Sequence, residues 1–272
     1  MIVTIANFFG TLIRLIYDLV GNNYALSIII FTLLTKLILF PLFLKQIKST
    51  EQINKIGPED KKIREKYKND KQKMTEEITK LYSENKINPL GGCLPLIIQI
   101  PIVIAMFIIV KQPLTYIVQL PSEDIKTYTQ EIMQKQEVSQ NDMNNNEIII
   151  ANKYKIIDMQ LGKINLGEVP SDVFSNDPLK RSSKLSLIIP VLTVIFSIIQ
   201  FRQSQKGSMM TEEQKEMQKT NALMLPILSG VFAYMMPLAL GLYWLIGNII
   251  QIIQQIVVNK FVLKKTNNSD QN

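Results

Sequence analysis

Lys36 is the most costly residue in this chain of 272. It stands twelve residues after Tyr24 in an apolar run without acids, and nine before Lys45. An ammonium near the middle of a bilayer costs a few kcal/mol unless it snorkels, pairs or meets water. Snorkelling would have to cover roughly 13 Å of helix, nine residues at ~1.5 Å each, which exceeds the reach of a lysine. Pairing inside the membrane is excluded, because none of the apolar runs contains Asp or Glu. Water is left. Thr32, one turn earlier, and Thr35, beside the lysine, keep that face polar. The chemistry on offer is electrostatic: a cation in poorly polar surroundings attracts a carboxylate more strongly than bulk water allows.

Two further runs carry polar stripes at helical spacing. Ser186, Pro190, Thr193, Ser197, Gln200 and Ser204 lie 4, 3, 4, 3 and 4 residues apart. Gly241, Trp244, Asn248, Gln251 and Gln255 lie 3, 4, 3 and 4 apart. Such groups commonly hydrogen-bond helix to helix, and for any single residue that reading stands. Three stripes, one with an unpaired cation, point together to a shared water-filled recess. Two other runs differ. One is apolar from Leu94 to Val110 apart from Gln99, with Pro95 and Pro101 bending it. The other carries Met224, Met235 and Met236, flexible side chains suited to a hydrophobic wall or to ordinary packing.

What is missing narrows the chemistry. Without His there is no catalytic triad of the usual kind and no imidazole metal site. The lone Cys93 cannot close an intramolecular disulfide or build a thiolate cluster. No phosphate-binding loop motif appears. The expectation is a protein that is not an enzyme, needs no cofactor or metal, and recognises no nucleic-acid sequence.

The elements that must position these residues follow from hydropathy. Runs of about 20 apolar residues are long enough to cross a hydrocarbon core of ~30 Å, and they must be helical to satisfy their backbones. Five spans are expected at 24–44, 90–110, 185–201, 222–236 and 238–258, with Pro237 turning the fourth into the fifth. Segment 45–89 holds 12 Lys and Arg, loop 202–221 holds 4 and residues 260–272 hold 3, against 9 in the 74 residues of 111–184 beside 10 acids. Basic segments favour the cytoplasm, so the N-terminus is placed outside and the tail 259–272 inside. The formal charge of +7 is then mostly topology.

Residues 1–23 read as an amphipathic helix in the outer interface, with Thr4, Asn7, Thr11, Arg14 and Asp18 as its polar stripe. An uncleaved additional span is the alternative. Segment 45–89 carries apolar residues at spacings of three, four or seven, so a cytoplasmic helical hairpin is expected, with helices at 59–68 and 72–84. A solvated loop is the other reading. The outer segment 111–184 suggests a loop at 141–146 and a small strand pair within 148–166.

Four stretches carry a family resemblance: 35–48 (TKLILFPLFLKQIK), 67–73 (YKNDKQK), 88–101 (NPLGGCLPLIIQIP) and 242–255 (LYWLIGNIIQIIQQ). The chain resembles the YidC-type membrane protein insertases, with relatives in mitochondria and thylakoids, over about 21–115 and 185–264. It is similar to the short form that lacks a large outside domain. The resemblance implies a groove open to cytoplasm and lipid and closed to the outside. The basic groove residue falls on Lys36, where Arg is usual; Gln200 and Trp244 fall on polar and aromatic groove positions, with Thr32 and Tyr243 beside them.

The expected fold class is therefore all-α and polytopic: five transmembrane helices around a hydrophilic groove, an interfacial N-terminal helix and a cytoplasmic hairpin. The groove set is Lys36, Thr32, Thr35, Gln200, Trp244, Tyr243, Asn248 and Gln251, with Met224, Met235 and Met236 as the hydrophobic wall. The expected function is insertion of nascent single- or double-span membrane proteins into the bacterial plasma membrane, alone or with the Sec translocon, with the ribosome as a further partner. Two alternatives stay open: a small anion transporter or channel using Lys36, and a scaffold that holds helices already inserted.

Overall fold

The computed structural model describes residues 1–88, 94–134, 146–175, 181–204, 224 and 226–260. Residues 90–93 of the expected second span, 141–145 of the expected outer loop, 205–221 of the expected cytoplasmic loop, and the tail past residue 260 lie outside the described residues.

Helix α1 (Ile2–Leu19) buries Ala6, Gly10, Ile13, Ile16 and Tyr17 along one stripe. It exposes Thr4, Asn7, Thr11 and Asp18 along another, and Phe8, Leu15 and Leu19 are exposed as well. The buried stripe packs on the five-residue π turn Leu114–Val118. There Gly10 is required, because a Cβ would lie 2.8 Å from the Tyr116 carbonyl oxygen. Arg14 adds hydrogen bonds from its guanidinium to the carbonyls of Ile117 and Val118. The chain then reverses through Gly21 and Asn22, both at positive φ (70° and 62°). The Asn23 side chain caps the next helix by accepting from the Leu26 amide at 2.9 Å.

The first core span, expected over 24–44, is not one continuous helix. It is α2 (Tyr24–Ile38) followed by α3 (Phe40–Lys55), bent by 54° at Leu39. Pro41 explains the break: it cannot donate to the carbonyl of Leu37, and its ring suits the first turn of a new helix. Helix α3 continues without interruption past 44, so the expected start of the hairpin at 45 is not a structural boundary. Helices α4 (Gly57–Lys66) and α5 (Lys71–Glu84) form the hairpin, each starting slightly earlier than the spacing suggested. Ile56, Leu81 and Ile87 close a small core there, joined by Ile53, Ile63 and Tyr82. Asp60 receives Arg64 at 2.7 and 3.3 Å, and Asp70 caps α5 through the Lys73 amide at 3.0 Å. Burial, reinforced by the Asp60 charge, pushes the Tyr82 phenol up from its ordinary value.

Helix α6 (Leu94–Lys111) contains Pro101 and ends at the π turn. After that turn the chain forms α7 (Ser122–Gln134), α8 (Asn146–Lys153), and strands β1 (Gln160–Leu161) and β2 (Ile164–Asn165). These strands pair antiparallel around Gly162, whose φ is 63°. The strand pair expected within 148–166 is thus present but confined to 160–165, and the residues up to Lys153 are helical. Ile148, Ile150 and Ala151 are buried in the main core together with Ile157, Met159 and Leu166. The described part of this segment is therefore a cap packed on the core. Its carbonyls also serve the last core helix: Leu238 N–H donates to Glu168 O and Ala239 N–H to Leu166 O, both at 2.9 Å. Amides in the first turn of a helix have no partner of their own, and the cap supplies one.

Three helices complete the described fold: α9 (Ile188–Ser204), α10 (Pro226–Met235) and α11 (Leu238–Val258). Helix α11 is central, packing on α9 to one side and α2 to another. Among the described residues three helical stretches are long and apolar enough to cross a membrane: α1, Lys184–Ser204 and α11. The bent pair α2–α3 makes a fourth. The described apolar parts of α6 (Ile98–Lys111) and α10 are shorter.

Candidate functional site

Helix α11 organises the site because its polar residues occupy two adjacent faces. At 100° per residue, Tyr243, Gly247, Gln251 and Gln254 fall on one face, with Trp244 and Asn248 beside it. The first face meets α2 and α6; the second meets α9 and α10.

Lys36 lies against the first face. Its ammonium donates to Gln251 Oε1 at 3.1 Å. Its backbone carbonyl, near the end of α2 where helix donors run out, accepts from Gln254 Nε2 at 3.0 Å. Its stem runs past Gly247, where an added Cβ would sit 3.4 Å from Lys36 Cε and 4.0 Å from Nζ. The cation therefore has an amide as its partner and not a carboxylate. Thr32 is buried at this contact, and its hydroxyl donates to the Ile28 carbonyl of its own helix at 2.6 Å. Thr35 does likewise with Phe31 at 2.8 Å. Both threonines spend their single proton locally, so they offer acceptor lone pairs and no donor to a visiting chain.

The remaining sequence-derived positions separate into distinct contacts. Tyr243 is buried and its hydroxyl accepts from Gln99 Nε2 at 3.0 Å, which ties α6 to α11. Trp244 is half-buried and stacks on Phe232 of α10, with centroids 6.1 Å apart and planes at 25°. Asn248 faces α9 and donates to Ser197 Oγ at 2.7 Å; Ser197 lies 3.1 Å from Ser229 Oγ of α10. Gln200 is half-buried one turn past Ser197 on α9. Met224 and Met235 are exposed, whereas Met236 packs partly buried against the main core. Lys36, Thr32 and Gln251 are thus brought together, Asn248 joins a separate serine node, and the three methionines do not share one surface.

Gly247, Gln254 and Ser229 escaped the sequence reading. Gly247 and Gln254 had a signal, lying four residues before Gln251 and three after it. Ser229 had none beyond its place in an apolar run.

A polytopic helical membrane protein with one amide-held cation between its central helices is the class that fold and site define. Comparison with known proteins is more specific. The model of the 60Kd inner membrane protein family matches residues 15–266, and the chain belongs to that family. The chain is 30% identical over 252 residues to "Membrane protein insertase YidC" of Oceanobacillus iheyensis, covering 90% of this chain and 78% of the relative. It is 31% identical over 251 residues to the protein of that name from Fusobacterium nucleatum, covering 90% and 88%. With that of Clostridium perfringens it shares 31% over 237 residues, covering 86% and 78%. Relatives and apolar helices together make it a multi-pass protein of a bacterial membrane.

Proposed function

We propose that this protein is a membrane protein insertase that captures polar or acidic segments of nascent membrane proteins and releases their apolar helices into lipid. Lys36 carries the reading: it is a cation in an acid-free span, facing α11 and held by a neutral amide 3.1 Å away. The names of the relatives support the same activity. A carboxylate entering beside Lys36 gains more than it would in water, because the surroundings are less polar. Holding the polar part of a substrate partway across shortens the low-dielectric distance left to cross. The substrate's apolar stretch then leaves sideways, along α10, which exposes Ile227, Val231, Phe232 and Met235.

In this reading five spans surround a hydrated groove open to the cytoplasm, and α1 lies in the outer interface. The N-terminus is outside and the C-terminus in the cytoplasm. Short single- or double-span proteins are the substrates, inserted alone or with the Sec translocon and received from the ribosome.

The test is an insertion assay after depletion of the endogenous protein, using a single-span substrate with an acidic outer end. Lys36→Ala and Lys36→Glu should impair insertion, whereas Lys36→Arg should retain it. A stably folded Lys36→Glu protein that inserts this substrate fully would sink charge capture. A photocrosslinker at Trp244 should meet the substrate early, before it reaches lipid.

A further inference from the structure

Lys36 is gripped at two points by one face of α11. Gln251 takes the ammonium at 3.1 Å and Gln254 takes the main-chain carbonyl at 3.0 Å. The two amides must be oriented oppositely, because an ammonium only donates and a carbonyl only accepts. Gln251 therefore presents its oxygen to Lys36, and Gln254 its nitrogen. The lysine stem lies along α11 beside Gly247, one turn before Gln251, where a Cβ would meet Cε in ordinary contact at 3.4 Å. The cation is thus seated, not free.

The choice of an amide matters chemically. A carboxylate at this position would form a standing ion pair and cancel the site. A neutral oxygen holds the ammonium with a weaker bond than a charged acceptor would. An arriving carboxylate can displace it; an arriving amide or hydroxyl gains nothing by the exchange. We propose that Gln251 is a positioning and specificity-determining residue, a neutral stand-in that yields Lys36 to acidic segments and keeps it from neutral ones. This rests on the insertase reading above and deepens it.

The test uses the full-length protein in reconstituted vesicles and two single-span substrates that differ only in having Asp or Asn at the outer end. The readout is the ratio of acidic to neutral substrate inserted. Gln251→Glu should lower that ratio by about tenfold, as expected when a standing ion pair replaces a neutral acceptor. The exchange Lys36→Gln with Gln251→Lys moves the cation across one contact and should bring the ratio back toward the wild-type value. A merely structural role for Gln251 would not produce that recovery.

A Gln251→Glu protein with wild-type thermal unfolding and a wild-type ratio overturns the inference. If Gln251→Glu does not accumulate, the exchanged pair decides: a ratio no better than that of Lys36→Ala overturns it. Lys36→Ala separates the two claims. If it leaves the ratio unchanged, charge capture itself has failed. If it collapses the ratio while Gln251→Glu does not, only the role of Gln251 is wrong.

Discussion

Thr115 holds both carboxylate oxygens of Glu147, one through its backbone N–H at 2.9 Å and one through its hydroxyl at 2.6 Å. The carboxylate is buried, and this clamp joins α8 of the cap to the turn that follows α6. Removing it deletes two charge-assisted hydrogen bonds from Thr115, which is itself exposed. Glu147→Ala should cost about 1–3 kcal/mol of stability, and Glu147→Gln less, since one acceptor survives. Thermal unfolding in detergent, with protease sensitivity of residues 112–184 as a local readout, checks this. An alanine variant as stable and as protected as wild type would contradict it.

Gly10 admits no side chain, because the atom it would meet is the backbone oxygen of Tyr116 at 2.8 Å. Backbone cannot step aside as the end of a long side chain can. Gly10→Ala should therefore lift α1 from the turn at a cost of about 1–3 kcal/mol, the usual range for overpacking. Disulfide trapping between α1 and residues 114–118 should lose efficiency. Unchanged trapping would show that the approach is looser than the geometry implies.

Asn248 and Ser197 bridge α11 and α9 at 2.7 Å. Interhelical hydrogen bonds in membranes average about 0.6 kcal/mol and reach about 1.7 kcal/mol. A double-mutant cycle with Asn248→Leu and Ser197→Ala should give a coupling in that range. A coupling of zero would return Asn248 to the set of residues free to bind substrate.

Burial raises the Glu168 carboxyl above its ordinary range, although the bond from the Ser183 amide at 2.9 Å opposes that. A carboxyl whose folded value is raised binds more protons folded than unfolded, so its ionisation opposes folding at neutral pH. That penalty should fade as pH drops through the folded value toward the ordinary one. Unfolding midpoints measured from neutral to mildly acidic pH should therefore rise more in wild type than in Glu168→Gln. Parallel pH profiles would refute the assignment.

Lys36 was legible in the sequence because insertion cost is a one-dimensional quantity, readable from neighbours along the chain. So was the polar face of α11, a matter of spacing alone. The partner of each polar residue was not. The stripe traced from Gln251 ran on to Gln255, one helical step from Gln254. In the fold Gln255 donates to Asn259, just past the end of its own helix, at 2.9 Å, while Gln254 reaches Lys36. Spacing rules cannot separate neighbours that lie 100° apart when the facing helix is unknown. The bend at Leu39 had a visible cause in Pro41, masked because the apolar run continues beyond it. Ile148, Ile149 and Ile150 suggest a strand by their β-branching, yet burial of Ile148, Ile150 and Ala151 in the core accompanies a helix there. Tertiary packing overrides local preference at that point.

The two hydrogen bonds from Leu238 and Ala239 to the cap have a mechanical consequence. They tether the N-terminal end of a rod of 21 residues, ~31 Å long at the α-helical rise. A rod fixed at one tip can swing only at the other. Gln251 and Gln254 ride in the half of α11 remote from that pivot. A small tilt about that end would displace them most, parting the glutamines from Lys36. Leverage of this kind would loosen the Lys36 contacts while the cap stays bonded to α11.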